Sequence, residues 1–134
     1  MGPPLITSAG GMAEIGLARR AVAAYLMACR CQNIADAVLV ASELITNAVL
    51  HGDGADRIAV VCDQATVHVT VHDSNPAVPV VCFDPDRVGG RGLRIVEQLA
   101  QQWGVSRAGT GKKVWAILAR DADRALPVRD GYTG

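Results

Sequence analysis

Glu43, Asn47 and His51 recur every four residues in the run Ala41-Ser42-Glu43-Leu44-Ile45-Thr46-Asn47-Ala48-Val49-Leu50-His51. In a helix, at about 100° per residue, the three fall within about 80° of arc. Val38, Ala41, Leu44, Ile45, Ala48 and Val49 then lie on the other side. One face can be buried while a carboxylate, an amide and an imidazole line the opposite edge. Taken alone, the trio is equally well an ordinary solvated face.

Two further segments add what such an edge lacks. In Val69-Thr70-Val71-His72-Asp73-Ser74-Asn75-Pro76 an acidic residue follows an apolar strand. A carboxylate there can accept a hydrogen bond from the exocyclic amino group of a base. In a low-dielectric pocket that match is specific, because an unmatched carboxylate is costly. Asp before Ser-Asn-Pro is also good turn chemistry. In Gly89-Gly90-Arg91-Gly92-Leu93-Arg94-Ile95-Val96 glycines lead into a helical pattern. Backbone N–H groups at such a helix start can approach phosphate oxygens, and the helix dipole favours the charge. A dinucleotide fingerprint fails here for want of a third glycine and a preceding strand. A Walker loop at Gly111-Lys112 fails because Ser106 stands where the earlier glycine is needed.

Elements must hold these segments in place. Ile15, Leu17, Ala18, Val22, Tyr25, Leu26 and Cys29 recur at helical spacing over residues 14–29. A second helix is expected over 34–50, ending at His51-Gly52 with glycine as the stop signal. His51 reads there as a helix-end cap rather than a reacting group. Runs rich in β-branched residues at 57–62 and 66–72, joined by Asp63-Gln64-Ala65, predict an antiparallel hairpin. Pro76, Pro79, Pro85 and Gly89 mark the stretch to residue 90 as a long loop. A third helix should run from 91 to about 101, followed by strands at 103–106 and 113–118 around a turn at 108–112. Helices grouped before and between antiparallel hairpins predict an α+β two-layer sandwich. Residues 12–119 form the domain, 1–11 a flexible lead-in and 120–134 a charged, frayed tail.

Composition sets the bounds. A chain of 134 residues fits one domain, and at this size roughly two-thirds of the unfolded surface is buried. Half the residues are apolar and 19% are charged, which excludes global disorder. Thirteen basic residues balance thirteen acidic ones with no basic cluster, so no nucleic acid partner is expected. No apolar run is read as reaching the roughly 18–20 residues of a membrane span, and the start lacks the features of a secretion signal. No membrane association and a cytoplasmic location are the expectations. Cysteines at 29, 31, 62 and 82 lack zinc-ribbon spacing and read as structural thiols.

The three chemical segments, in this order and at these separations, resemble the N, G1 and G2 boxes of the ATPase fold shared by gyrase B, heat-shock-90 chaperones and histidine kinases. The N box is matched by Glu43 through Gly52, the G1 box by Asp73-Ser74-Asn75-Pro76 and the G2 box by Gly90-Arg91-Gly92-Leu93. Over residues 14–119 the chain resembles the stand-alone subgroup containing anti-sigma-factor serine/threonine kinases. Trp103-Gly104 after the third helix and Val114-Trp115 in the last strand carry that likeness. The resemblance implies the Bergerat ATP-binding fold, with ATP and Mg²⁺ as ligands. It implies that Asn47 coordinates Mg²⁺ and that Glu43 orients or deprotonates the attacking hydroxyl. It gives Asp73 the adenine amino group. Gly90, Gly92, Leu93 and Asn75 belong to the nucleotide-binding boxes, with Arg91 near a phosphate and residues 76–90 as a mobile lid. The chain departs from the family at Lys112-Lys113, where a threonine is common. An ammonium donates hydrogen bonds and cannot copy a hydroxyl's acceptor role.

By the same resemblance the expected activity is phosphorylation of a serine on an anti-anti-sigma protein. Binding of a sigma factor would alternate with it, and a homodimer is expected by likeness alone. A histidine kinase would need a further phosphoacceptor helix domain, for which 134 residues leave no room. A nucleotide-responsive binding module without transferase activity is the alternative.

Overall fold

A computed structural model describes residues 3–75 and 91–121 of the chain. The elements in order are β1 (Leu5–Ala9), α1 (Met12–Ala28), α2 (Ile34–His51), β2 (Ala55–Cys62), β3 (Thr66–Asp73), α3 (Arg91–Leu99), β4 (Gln102–Ala108) and β5 (Gly111–Ala119). The strands form one sheet in the order β1-β2-β3-β5-β4, with every neighbouring pair antiparallel. The helices form the second layer, so the expected α+β two-layer sandwich is the fold.

Strand alternation decides which side chains enter the core. Along β3, Val67, Val69, Val71 and Asp73 are buried, while Thr66, His68, Thr70 and His72 are only partly covered. On β5, Lys112, Val114, Ala116 and Leu118 share the buried parity. α2 lies across β2, β3 and β5, and inserts Val40, Ala41, Leu44, Ile45 and Ala48. Burying each large aliphatic side chain of this kind contributes roughly 1.5–3 kcal/mol. By length and composition alone α2, with 18 residues and a mean hydropathy of 1.4, could cross a bilayer. This corrects the expectation that no segment passes that test. Its apolar face is packed on the sheet instead.

The lead-in is the main difference from the sequence reading. Residues 5–9, expected to be loose, form an edge strand with Leu5, Ile6 and Thr7 opposite Val60, Ala59 and Ile58. The alternation of Leu5, Thr7 and Ala9 with polar or outward neighbours was hidden by flanking Gly and Pro. Past it, the Glu14 carboxylate accepts the N–H groups of Gly10 and Gly11 and opens α1. At the other end Arg120, expected in a frayed tail, is tied down. Its N–H donates to the Ala65 carbonyl, and its own carbonyl accepts from Gln32 and Asn33. Its guanidinium reaches the carbonyls of Asp63 at 2.6 Å and Cys29 at 2.5 Å. Residues 122–134 lie outside the described residues.

That same end of the sheet gathers the thiols of Cys29, Cys31 and Cys62, all unpaired. Cys31 and Cys62 are buried, and burial raises both, pushing Cys62 up to about 11. Cys31 and Cys62 pack in the core beside the other small apolar side chains.

Candidate functional site

Asp73 is the last residue of β3 and continues its buried parity. Oδ1 of its carboxylate accepts the N–H of Asn75 at 2.8 Å and that of Asp53 at 3.0 Å. Oδ2 lies 3.0 Å from Nζ of Lys112, and the two side chains are only 2% and 7% exposed. Lys112 donates a second hydrogen bond to the Asn75 carbonyl at 2.8 Å. Burial alone would push the Asp73 carboxyl up. The N–H groups of Asn75 and Asp53, with the Lys112 ammonium, outweigh it and hold the group below the usual carboxylate range.

Two glycines make this arrangement possible. A Cβ on Gly52, just past α2, would stand 1.6 Å from Asp73 Oδ2. A Cβ on Gly111, at the start of β5, would stand 2.1 Å from the Asp73 carbonyl oxygen. The end of α2 and the start of β5 therefore close directly onto Asp73. The C-terminal end of a helix carries partial negative charge, which is unfavourable beside a carboxylate. Lys112 offsets both.

Glu43 and Asn47 are half-buried on α2, and His51 at its end is exposed. The helix thus presents the polar edge read from the sequence, with its last turn leading to Asp73. α3 packs against α2. Its first turn holds Arg91, Gly92 and Leu93. Leu93 sends its side chain into the core at 1% exposure, so only its backbone can meet a ligand. Gly90 and the expected lid, residues 76–90, lie outside the described residues. For Arg91 and Gly92 only the helical backbone is described.

The donor set can be compared with Mg-ATP at each end. A carboxylate and an amide oxygen one turn apart are hard donors, which fits a cation that keeps waters and takes phosphate oxygens. Among the described residues no group of three or more His, Cys, Asp or Glu is set to hold a metal by itself. The base end is different. Asp73 has the carboxylate that an adenine amino group would need, but Lys112 already donates to it. Sequence reading had found Asp73 and noted Lys112 as a departure, yet missed their pairing. Parity with Val114, Ala116 and Leu118 puts Lys112 on the buried face, but only the register of β3 against β5 sets it opposite Asp73.

The opposite face of the sheet carries a depression of about 290 Å³ lined in part by His68, Thr70, Lys113 and Trp115. Glu43, Asn47 and Asp73 do not line it. On that face the Trp115 ring covers Gly104, where a Cβ would stand 2.7 Å from Cζ2. This packing leaves no room for a larger residue than glycine at 104 beneath the Trp115 ring.

Sheet and helices together define the class as an α+β sandwich consistent with the Bergerat fold. Residues 11–118 match the histidine kinase-like ATPase domain family, and the chain belongs to it. Among solved structures it is similar to the histidine kinase domain of the blue-light activated histidine kinase from Erythrobacter litoralis EL346. The identity is 22% and the TM-score 0.51, over 87% of this chain and 65% of that one. That likeness bears on the fold, and the chain spans less than two-thirds of the relative's length. No curated protein matches the chain.

Proposed function

We propose that the domain binds Mg-ATP and acts as a serine/threonine protein kinase of the anti-sigma-factor type. Family membership supports nucleotide binding and phosphotransfer or ATP hydrolysis as the general activity. The carrying observation is that Glu43 and Asn47 sit one turn apart on a half-buried edge of α2, whose end closes on the Asp73 carboxylate. On this assignment phosphate chemistry lies along α2 and base recognition at the end of β3, which the last turn of α2 meets.

In this reading Asn47 would hold Mg²⁺ through its amide oxygen, and the ion would supply neutralisation of phosphate charge. Glu43 accepts the proton of an attacking serine hydroxyl. The serine oxygen bonds to the γ-phosphorus as the bond to the β–γ bridging oxygen breaks, releasing ADP. Positioning and charge stabilisation supply most of the rate, and proton transfer adds about 10²–10⁴-fold. Gly90, Arg91, Gly92 and the Leu93 backbone belong to the phosphate end, and Asp73 and Asn75 to the base end. The partner is an anti-anti-sigma protein that presents the serine, with a sigma factor as the alternating ligand. A cytoplasmic setting and a homodimer go with this reading.

The test is transfer of the γ-phosphate to a candidate anti-anti-sigma protein, with Glu43→Ala beside the wild type. Transfer should fall by about 10²–10⁴-fold in the variant. Equal transfer by both would remove Glu43 from the chemistry. A second reading, a nucleotide-responsive binding module without transfer, is favoured by one observation. Asp73 already has a cationic partner within the protein. Binding of Mg-ATP with no transfer by the wild type would support that reading.

A further inference from the structure

We propose that Lys112 occupies the base-recognition position from within. Its ammonium sits where an adenine amino group would donate to Asp73, so the domain binds nucleoside triphosphates with little preference for the base until Lys112 withdraws. The inference rests on the assignment of Asp73 to the base end of a nucleotide site.

Acceptor capacity is the first reason. A carboxylate offers about four lone-pair sites, two on each oxygen. Oδ1 is filled by the N–H groups of Asp53 and Asn75. Oδ2 takes Lys112 at 3.0 Å. The backbone of Gly52 packs against that same oxygen, closely enough that a Cβ there would stand 1.6 Å away. With Lys112 in place the Asp73 side chain is only 2% exposed, so a base reaches Oδ2 only by displacing a neighbour.

The second reason is that the pairing is built in. Asp73 and Lys112 are register partners across β3 and β5, so strand pairing itself delivers the ammonium to the carboxylate. The Asn75 carbonyl holds Nζ from a second direction at 2.8 Å. A side chain with two acceptors and 7% exposure is a defined occupant, not a wandering surface lysine. A ligand that must wait for a minor state binds more weakly by the fraction in that state. If Lys112 stands aside in about one molecule in ten, adenine recognition is weakened about tenfold.

Calorimetric titration of the full chain with Mg-ATP, Mg-GTP, Mg-CTP and Mg-tripolyphosphate tests this. In the wild type the three nucleotides should bind within about threefold of one another. In Lys112→Thr, checked for native circular dichroism, ATP should tighten about tenfold or more while GTP and tripolyphosphate stay within threefold. A wild type that prefers ATP over GTP and CTP by more than tenfold overturns the proposal, and needs no variant to do so. ATP affinity that is unchanged or weaker in Lys112→Thr also overturns it, the latter making Lys112 a ligand contact. If no probe binds either protein, tripolyphosphate included, the nucleotide site itself is refuted and this inference with it.

Discussion

Nζ of Lys112 lies 3.0 Å from Oδ2 of Asp73 across two neighbouring strands, with both side chains almost wholly withdrawn from water. Sheet register, the end of α2 and the chemistry of the site all meet in that contact. It couples the fold's stability to the residue proposed for base recognition.

Breaking the pair from one side should be costly. Removing one partner of a buried ion pair leaves an uncompensated charge and destabilises by about 3–5 kcal/mol. Asp73→Ala and Lys112→Met should each lose about that much in urea unfolding. The double variant should lose clearly less than the sum, with a coupling of about 0.5–3 kcal/mol. Simple additivity would show that the two groups do not stabilise one another.

Two glycine substitutions should act in opposite directions. Gly52→Ala forces a methyl to within 1.6 Å of Asp73 Oδ2, so backbone or carboxylate must move. Overpacking of this kind costs about 1–3 kcal/mol. Gly16 lies inside α1, and the nearest atom to its added Cβ is the tip of Arg20 at 3.8 Å. Gly16→Ala should therefore stabilise by about 0.5–1 kcal/mol through helix propensity. Thermal melts of the two variants decide it. A neutral Gly52→Ala would mean that α2 does not close on Asp73.

Acid should unfold the protein partly through Asp73. Its folded carboxyl titrates below the ordinary range, so the native state binds fewer protons than the unfolded state. That contribution is complete above the ordinary carboxylate value near pH 4, and is lost as pH falls through the lower folded value. Asp63, whose carboxylate accepts the Ala65 and Thr66 N–H groups, is shifted the same way. His72 is lowered by burial, then by Lys113 and Arg57, so a shallower loss begins as pH falls below about 6.5. Urea unfolding from pH 7 to 3 should show both limbs. The Asp73→Ala/Lys112→Met protein should flatten the acid limb, and His72→Gln the shallower one. An unchanged acid limb in the double variant would contradict the role given to Asp73.

The thiols should differ sharply in reactivity. With Cys62 raised to about 11, only about one molecule in a thousand carries its thiolate at pH 8. Cys62 and Cys31 are buried, whereas Cys29 is half-exposed. Alkylation at pH 8, mapped by mass spectrometry, should modify Cys29 well before Cys31 or Cys62. Rapid labelling of Cys62 in the native protein would refute its burial.

Local pattern accounts for much of the architecture. Helical spacing in 14–29 and 34–50, and the alternation in Thr66–Asp73, reflect periodicities that any solvent-facing helix or half-buried strand must show. Glu43 and Asn47 were legible as one helix edge because their spacing alone puts them there. β1 was not legible, since five residues between Gly/Pro-rich flanks pair only because β2 offers them an edge. Arg120 was likewise invisible, because its partners Cys29, Asp63 and Ala65 come from distant turns.

Short-range order was therefore determined by the sequence itself for the three helices, the strands of the two hairpins and the polar edge of α2. Tertiary structure alone decided that Lys112 would answer Asp73, 39 positions away. A charge inside a protein takes whichever partner the folded sheet brings within reach, and register between distant strands is settled only when the whole core packs.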